Sequence, residues 1–502
     1  VIDYGEAMNK PGFYFMNSPG NDLEGIAGQV ASGCNLFLFV TGNGSITNFP
    51  FVPTLKITTT TRRHQLLIHE MDVNAGRYLD GESMESLTAE TFELVIQTAS
   101  GRRTQGEHAG HSQVSLWRNW RQTDRSQLPR LRARTAPDGQ PLLIASDAEE
   151  WRRQASLATW DIVFQGYPLA GGTTWATDRL GLVLPTSLCA TQIARLAAEK
   201  LNSRNAGRDQ EISRFVALVH TEGCGFGGET MHKLLHRTFR GYATHPNVAA
   251  ALLLEHGCEK VPNDVMRRQF EAASIPLNRF GWASVQLDGG IEKAIGRIEA
   301  WFDQRLQSMQ TPATQAGGLG QLAIGLQSVR GLSPSVSDSM ATMALMVVAA
   351  GGTVFIADSD PLLAENTRLR QVFGEKPFRS SLAYGQPTTL RGLHVVSTET
   401  TDWAENLAGL GACGAHLIVG AVSTHPREGH PLLPVLQFAP SSEAGLARNE
   451  SIDGSLTGVW EQDRETLGAR IAQVASRTYV PAATAQGLTH FQLTRGLLGI
   501  ST

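Results

Sequence analysis

Cysteine is scarce in this chain, with five in 502 residues and none closely spaced. That excludes a disulfide-knit scaffold. Isolated thiols in a chain of this size read as reduced, cytosolic and either buried or catalytic. An excess of charge of either sign is also lacking. The net charge is −4, which points to no nucleic-acid or polyanion partner. Long hydrophobic runs are missing too. The longest, Met343 to Ile356, is interrupted by Gly351-Gly352 and falls short of the roughly 20 apolar residues that cross a bilayer. No secretory leader is read, and the expectation is a cytoplasmic chain without a membrane partner. The first residue is Val rather than Met, which suggests a processed, trimmed or incomplete product.

What is present is an alternation of apolar runs and helix-like segments. Such a pattern predicts an α/β chain, with two to four domains at this length. Its organising stretch is VHTEGCGFGGET, Val219 to Thr230, between an apolar run and a helical pattern. Two further turns of the same kind follow apolar runs: Thr186-Ser187-Leu188-Cys189 after Leu180 to Pro185, and His256-Gly257-Cys258-Glu259 after Val248 to Leu254. Each carries one cysteine. In a parallel sheet all three open on the edge where such folds place their chemistry. Cys189, Cys224 and Cys258 are therefore candidate metal ligands, since soft sulfur suits iron. The plain alternative is three small apolar residues packed in tight turns.

Several polar residues accompany them. His220 is a candidate acid or base, its ring expected to face the crevice at the end of a strand. Glu222 and Glu229 flank Cys224 as possible ligands or bases, and Glu229 serves equally well as a helix-end carboxylate. His232 and His236 share a helical face, but HKLLH lacks the glutamate of zinc-protease helices. Earlier in the chain, Thr41-Gly42-Asn43-Gly44-Ser45 is a glycine turn directly after a strand-like run. Its amides suit a carboxylate or phosphate, or it is a tight turn without a ligand.

Taken together, LPTSLCATQ, VHTEGCG, ATHPN and HGCE resemble the altronate and galactarate dehydratases, a family of sugar-acid hydro-lyases. MNSPGNDLEGIAGQVASGCNLFLFVTGNGS, FVPTLKITTTT and MDVNAG are similar to that family's C-terminal domain. The resemblance implies dehydration of an altronate- or galactarate-type acid to a 2-keto-3-deoxy acid. It implies assistance by Fe2+ or another divalent metal. Thr41 to Ser45, His245 and Asn247 are implied in substrate binding, and His220, Glu222 and Cys224 in catalysis. A sulfo-lyase acting on sulfolactate is an alternative from the same resemblance, because it too removes an alpha proton.

The chain also departs from the family. The charged signature expected after Gly166-Tyr167 is replaced by PLAGGTTWATDR, and the turn after GLQ reads Ser328-Val329-Arg330-Gly331. These losses favour a non-catalytic, degenerate partner subunit as a further alternative. The last block echoes the first at an offset of roughly 380 residues, the scale of a duplicated domain rather than a solenoid. Tyr4-Gly5 recurs as Tyr384-Gly385 and VPTLK as LPVLQ, while TGNGS becomes AVSTH. The expected organisation is a C-terminal-type α/β domain over 1–119, an Arg- and Pro-rich linker over 120–144, and a cysteine-bearing Rossmann-like parallel-sheet domain over 145–310. A shortened continuation follows over 311–380, then a degenerate repeat of the first domain over 381–502. A homo-oligomer or a pseudo-dimer within one chain is the expected assembly.

Overall fold

A computed structural model describes residues 1–118, 136–144, 160–169, 172–224, 226–374, 378–423, 425–441, 452–496 and 500–501. The linker expected over 120–144 lies outside the described residues except for 136–144.

The fold is α/β, with parallel sheets carrying the chemistry-bearing turns. The first block builds helix α1 (Asp22–Ser32) and a parallel sheet of β1 (Phe37–Thr41), β2 (Thr54–Thr58) and β3 (Val73–Asn74). Asn21 caps α1 by accepting from the amides of Leu23 and Glu24, which fixes where the helix starts. Helix α2 (Met84–Ala99) starts on the Ser83 cap. The aromatic stretch from Gly12 to Met16 forms no strand and makes only an isolated bridge between Met16 and Ile2. Its Phe13 and Phe15 are exposed and gain nothing from a partner strand.

The middle of the chain opens with β4 (Val163–Pro168), flanked antiparallel by β5 (Trp175–Ala176) and by β11 (Gln315–Gly318). Between them lies the cysteine-bearing sheet of β6 (Leu180–Pro185), β7 (Arg214–Ala217), β9 (Val248–Glu255) and β10 (Phe280–Ser284); β8 (Phe226–Gly227) stands apart. The order β10-β9-β6-β7 is fully parallel, with the chain reversing its direction of travel between β6 and β9. Such a switch leaves a crevice at the carboxyl ends of the two strands. Helix α3 (Thr191–Ser203) follows β6. Its Ile193, Ala194, Ala197, Ala198 and Leu201 recur at helical spacing and close one face of the sheet.

The last third forms a second, larger parallel sheet. Its strands are β12 (Ala323–Ser328), β13 (Thr353–Ala357), β14 (Leu382–Ala383), β15 (Gly392–Ser397), β16 (Leu417–Ala421), β17 (Val435–Pro440) and β18 (Gly454–Leu456). Their order is β14-β15-β13-β12-β16-β17-β18, so the switch lies between β12 and β16. The two sheets meet through helix α4 (Glu229–Ala243), which follows the VHTEGCG turn, and helix α6 (Trp403–Ala412), which precedes β16; α5 (Pro334–Ala349) follows β12. Every residue of α6 is buried, including Glu405, whose carboxylate is met by the Arg118 guanidinium. The helices approach so closely that a Cβ on Gly241 would stand 2.2 Å from the carbonyl oxygen of Ala412. Gly241→Ala is expected to cost about 1–3 kcal/mol by overpacking, read as a lower midpoint in chemical denaturation.

The first and last blocks share a plan. In each, a helix leads into three parallel strands in sequential order, α1-β1-β2-β3 and α6-β16-β17-β18. Tyr4 donates to the carbonyl of Glu24, and Tyr384 donates to that of Glu405, both at 2.7 Å. The Asp72 carboxylate accepts the Lys56 amide, and that of Asp453 accepts the Gln437 amide. The blocks differ at one edge. Strand β16 pairs with β12, whereas β1 has no partner on its outer side among the described residues.

Candidate functional site

The three cysteine turns open on one sheet edge because β6, β7 and β9 are parallel. The turns after β6 and β7 come together at Gly223. Its φ of +102° lies in the left-handed region, and a Cβ there would stand 2.5 Å from the Ser187 backbone. Only glycine fits, and as a result the Cys189 and Cys224 sulfurs lie 3.8 Å apart. Burial and the neighbouring Cys224 push the Cys189 thiol well above its ordinary pKa, with Cys224 the larger influence. Cys258 is exposed at the end of β9, its sulfur 3.2 Å from Nδ1 of His256. Glu259 shapes that turn, accepting from the His256 and Gly257 amides and from the Thr186 hydroxyl.

A separation of 3.8 Å matches the edge of a tetrahedron with metal–sulfur bonds of about 2.3 Å. The third corner is not supplied. Among the described residues no three His, Cys, Asp or Glu side chains are placed to hold one ion. What the described residues place here is a two-sulfur pair, Cys189 and Cys224.

The glycine turn of the first block docks on this same edge. Gln286, just after β10, donates to the Gly44 carbonyl at 2.5 Å. Leu23 of α1 packs on Leu188 and Cys189. Gln113 donates to the Leu188 carbonyl and the Thr191 hydroxyl. Within the turn the Thr41 hydroxyl accepts the Gly44 amide, Ser45 is buried, and Gly42 and Asn43 are exposed. The structure thus brings residues 41–45 and the cysteine turns together.

His220 and Glu222 belong to the same loop but look inward. Both ring nitrogens of His220 are engaged: Nε2 donates to the Pro185 carbonyl at 2.9 Å, and Nδ1 accepts the Glu222 amide at 3.1 Å. Burial pulls its pKa down to about 4, so the ring is neutral and braces the loop beneath the crevice. Glu222 is fully buried between two guanidinium groups, Arg118 at 2.6 Å and Arg495 at 2.9 Å. Arg118 reaches on to Glu405 at 2.7 Å, and Arg495 to Glu24 at 3.9 Å. Each arginine, one from the end of each related block, thus crosses to the first turn of the other block's helix. Glu222 is the hub.

His245 and Asn247 lie elsewhere. They precede β9, while Cys258 follows it, so the length of an eight-residue strand, about 25 Å, separates them. His245 donates to the Ala415 carbonyl, and Asn247 ties Thr177 to His416. Both join the two sheets at their amino-terminal side.

What sequence reading missed stands beside the glycine turn. Lys56 of β2 is fully buried and its Nζ has no hydrogen-bond partner. The same holds for both ring nitrogens of His111, for Nε2 of His256 and for Oδ1 of Asn48. These groups are neighbours. A Cβ on Gly106 would touch both the Lys56 amine, at 2.8 Å, and the Asn48 carbonyl oxygen, at 2.9 Å. Asn48 donates to the His111 carbonyl. Lys56 and His256 both act electrostatically on His111. Burial lowers the lysine to about 8, partly opposed by Asp72 and Glu70. Burial also holds His111 well below its ordinary value, so its ring is neutral. Native proteins pair nearly all buried polar atoms, and such a concentration of orphans marks a place where water or a ligand belongs.

Two stretches of the chain match models of one protein family. Residues 1–122 match the family model described as D-galactarate/Altronate dehydratase, C-terminal, and residues 176–310 match D-galactarate dehydratase/Altronate hydrolase, second domain. An altronate dehydratase of Escherichia coli (strain K12) is 30% identical over 119 residues, 24% of each chain. A galactarate dehydratase (L-threo-forming) of the same organism is 30% identical over 120 residues, 23% of each. The beta subunit of a (2R)-sulfolactate sulfo-lyase from Chromohalobacter salexigens is 29% identical over 119 residues, 24% of this chain and 31% of that one. The matched part spans about a quarter of the altronate dehydratase it resembles.

Proposed function

Because the chain belongs to the galactarate and altronate dehydratase family, we propose that it is a lyase removing water from a sugar acid, and that the chemistry runs in the nest around Lys56. The observation that carries this reading is the group of unpartnered buried polar atoms of Lys56, His111, His256 and Asn48 beside the glycine turn.

In this reading the neutral Lys56 amine takes the proton alpha to the substrate carboxylate, and the electron pair moves into the carboxylate as an enediolate. The pair returns to form the carbon–carbon double bond as the hydroxyl on the next carbon leaves. The lysine ammonium gives that hydroxyl its proton, so water departs and the enol tautomerises to a 2-keto-3-deoxy acid. The neutral rings of His111 and His256 supply N–H donors to the developing oxyanion without competing for the proton. Residues 42–43, exposed at the turn, meet the carboxylate. No step is routed through a metal ion.

A lysine base must be unprotonated, and burial brings its pKa to about 8. The rate at limiting substrate is therefore expected to rise tenfold per pH unit below about 8 and to level off above it. A pH–rate profile checks this; an acidic limb centred near an ordinary carboxylate value would assign the base elsewhere. Sulfo-lyase activity is the second reading, favoured by the match to a sulfolactate enzyme subunit. It shares the alpha-proton step, and offering sulfolactate beside D-galactarate separates the two.

A further inference from the structure

We propose that Cys189 and Cys224 form a reversible dithiol–disulfide site, open to small disulfides such as oxidised glutathione. The dehydration reading uses neither sulfur, and the inference stands without it. The two thiols come from the turns after β6 and β7, 35 residues apart in sequence, and their sulfurs lie 3.8 Å apart. Closing from there to the roughly 2.05 Å of a disulfide asks each sulfur to travel less than about 1 Å. Two contacts keep the pair in reach. Gly223 seats its turn against the Ser187 backbone, and the Leu188 amide donates to the Glu222 carbonyl at 2.6 Å. The residues just before each sulfur are therefore joined across the same gap.

Burial sets the order of events. Cys224 is partly exposed, whereas Cys189 is 5% exposed and packs with Leu23 and Leu188. An incoming disulfide therefore meets Cys224 first. The Cys224 thiolate attacks one sulfur of the small disulfide. A new S–S bond forms, the old one breaks, and the first small thiol leaves with the proton that Cys224 gave up. Cys189 then attacks the Cys224 sulfur, and the second small thiol leaves with the Cys189 proton. Two protein thiols are oxidised to one disulfide, and the small disulfide is reduced to two thiols. The crosslink ties together two turns on which the first block docks, since Leu23 packs on Cys189 and Gln113 donates to the Leu188 carbonyl.

The test places the full chain, first reduced and then kept with a metal chelator, in glutathione buffers of rising oxidised fraction. Remaining thiols are labelled with N-ethylmaleimide after denaturation, and peptide mapping by mass spectrometry reads each cysteine. In the parent, Cys189 and Cys224 are expected to lose the label together and to appear as one crosslinked peptide pair, with no glutathione on either. Dithiothreitol is expected to restore both labels. Cys189→Ser is expected to retain glutathione on Cys224, because the thiol that displaces it is gone. Full labelling of both cysteines in wholly oxidised glutathione overturns the proposal. So does glutathione retained on Cys224 of the parent, or a crosslink from either cysteine to Cys258. These outcomes are read on the parent chain, so the folding of the variant does not decide them. Thiol chemistry rather than turnover is measured, which keeps the result separate from the fate of the dehydration reading.

Discussion

Replacing Lys56 with methionine is expected to lower the rate of sugar-acid dehydration by about 10²–10⁴-fold, the usual contribution of a positioned base. The same variant should be more stable than the parent near neutral pH. A lysine buried without a partner is held at about 8 in the folded chain, against about 10.4 when unfolded. Below pH 8 both states carry the proton, and the cost of burying the charge, roughly 3 kcal/mol, is present in full. Between about 8 and 10.5 the folded chain releases its proton first, and the penalty fades. The advantage of Lys56→Met in urea denaturation is thus expected to be largest at pH 7 and to vanish by about pH 10.5. A merely structural lysine would lose stability on replacement at every pH. Opposite signs for activity and stability at one residue are what a functional buried lysine requires.

Glu222→Ala is expected to show the reverse pattern. The carboxylate is wholly buried and holds Arg118 and Arg495. Removing it leaves the buried Arg495 with the Arg118 carbonyl as a hydrogen-bond acceptor and, among the described residues, Glu24 at 3.9 Å as its one counter-charge, a cost of roughly 3–5 kcal/mol. Glu222→Gln keeps the shape and part of the hydrogen bonding, so a smaller loss is expected. Thermal unfolding measures both. Activity at a temperature where the Gln variant remains folded should stay within a few-fold of the parent, because in this account Glu222 positions the loop and takes no proton from substrate. A Gln variant with the parent's stability and no activity would return the carboxylate to the catalytic step.

The contrast between these residues shows how much of the site was legible. Cys189, Cys224 and Cys258 were readable because each follows an apolar run and precedes a helical period, and parallel pairing then brings such turns to one edge. The echo of Tyr4 in Tyr384 is legible in the sequence, and the two hydroxyls make similar bonds, to the carbonyls of Glu24 and Glu405. The role of His220 was not readable. A histidine at a strand end looks like a crevice residue until its two backbone partners are seen. The hub at Glu222 joins residues 104 and 273 positions apart, beyond any local pattern. Lys56 left one signal, a charge inside the β-branched stretch TLKIT. Alternation alone would turn such a charge to solvent, whereas in the fold its amine is covered by the close approach of Gly106.

The most direct test is a dehydration assay on the purified 502-residue chain, under reducing and anaerobic conditions, with and without ferrous iron. D-galactarate and altronate are offered and the 2-keto-3-deoxy acid is followed for the parent, Lys56→Met and Glu222→Gln. The account predicts product from the parent, rising through pH 8, lost in Lys56→Met and kept in Glu222→Gln. Equal activity in the parent and Lys56→Met, or no product from a folded parent with either acid, would contradict it.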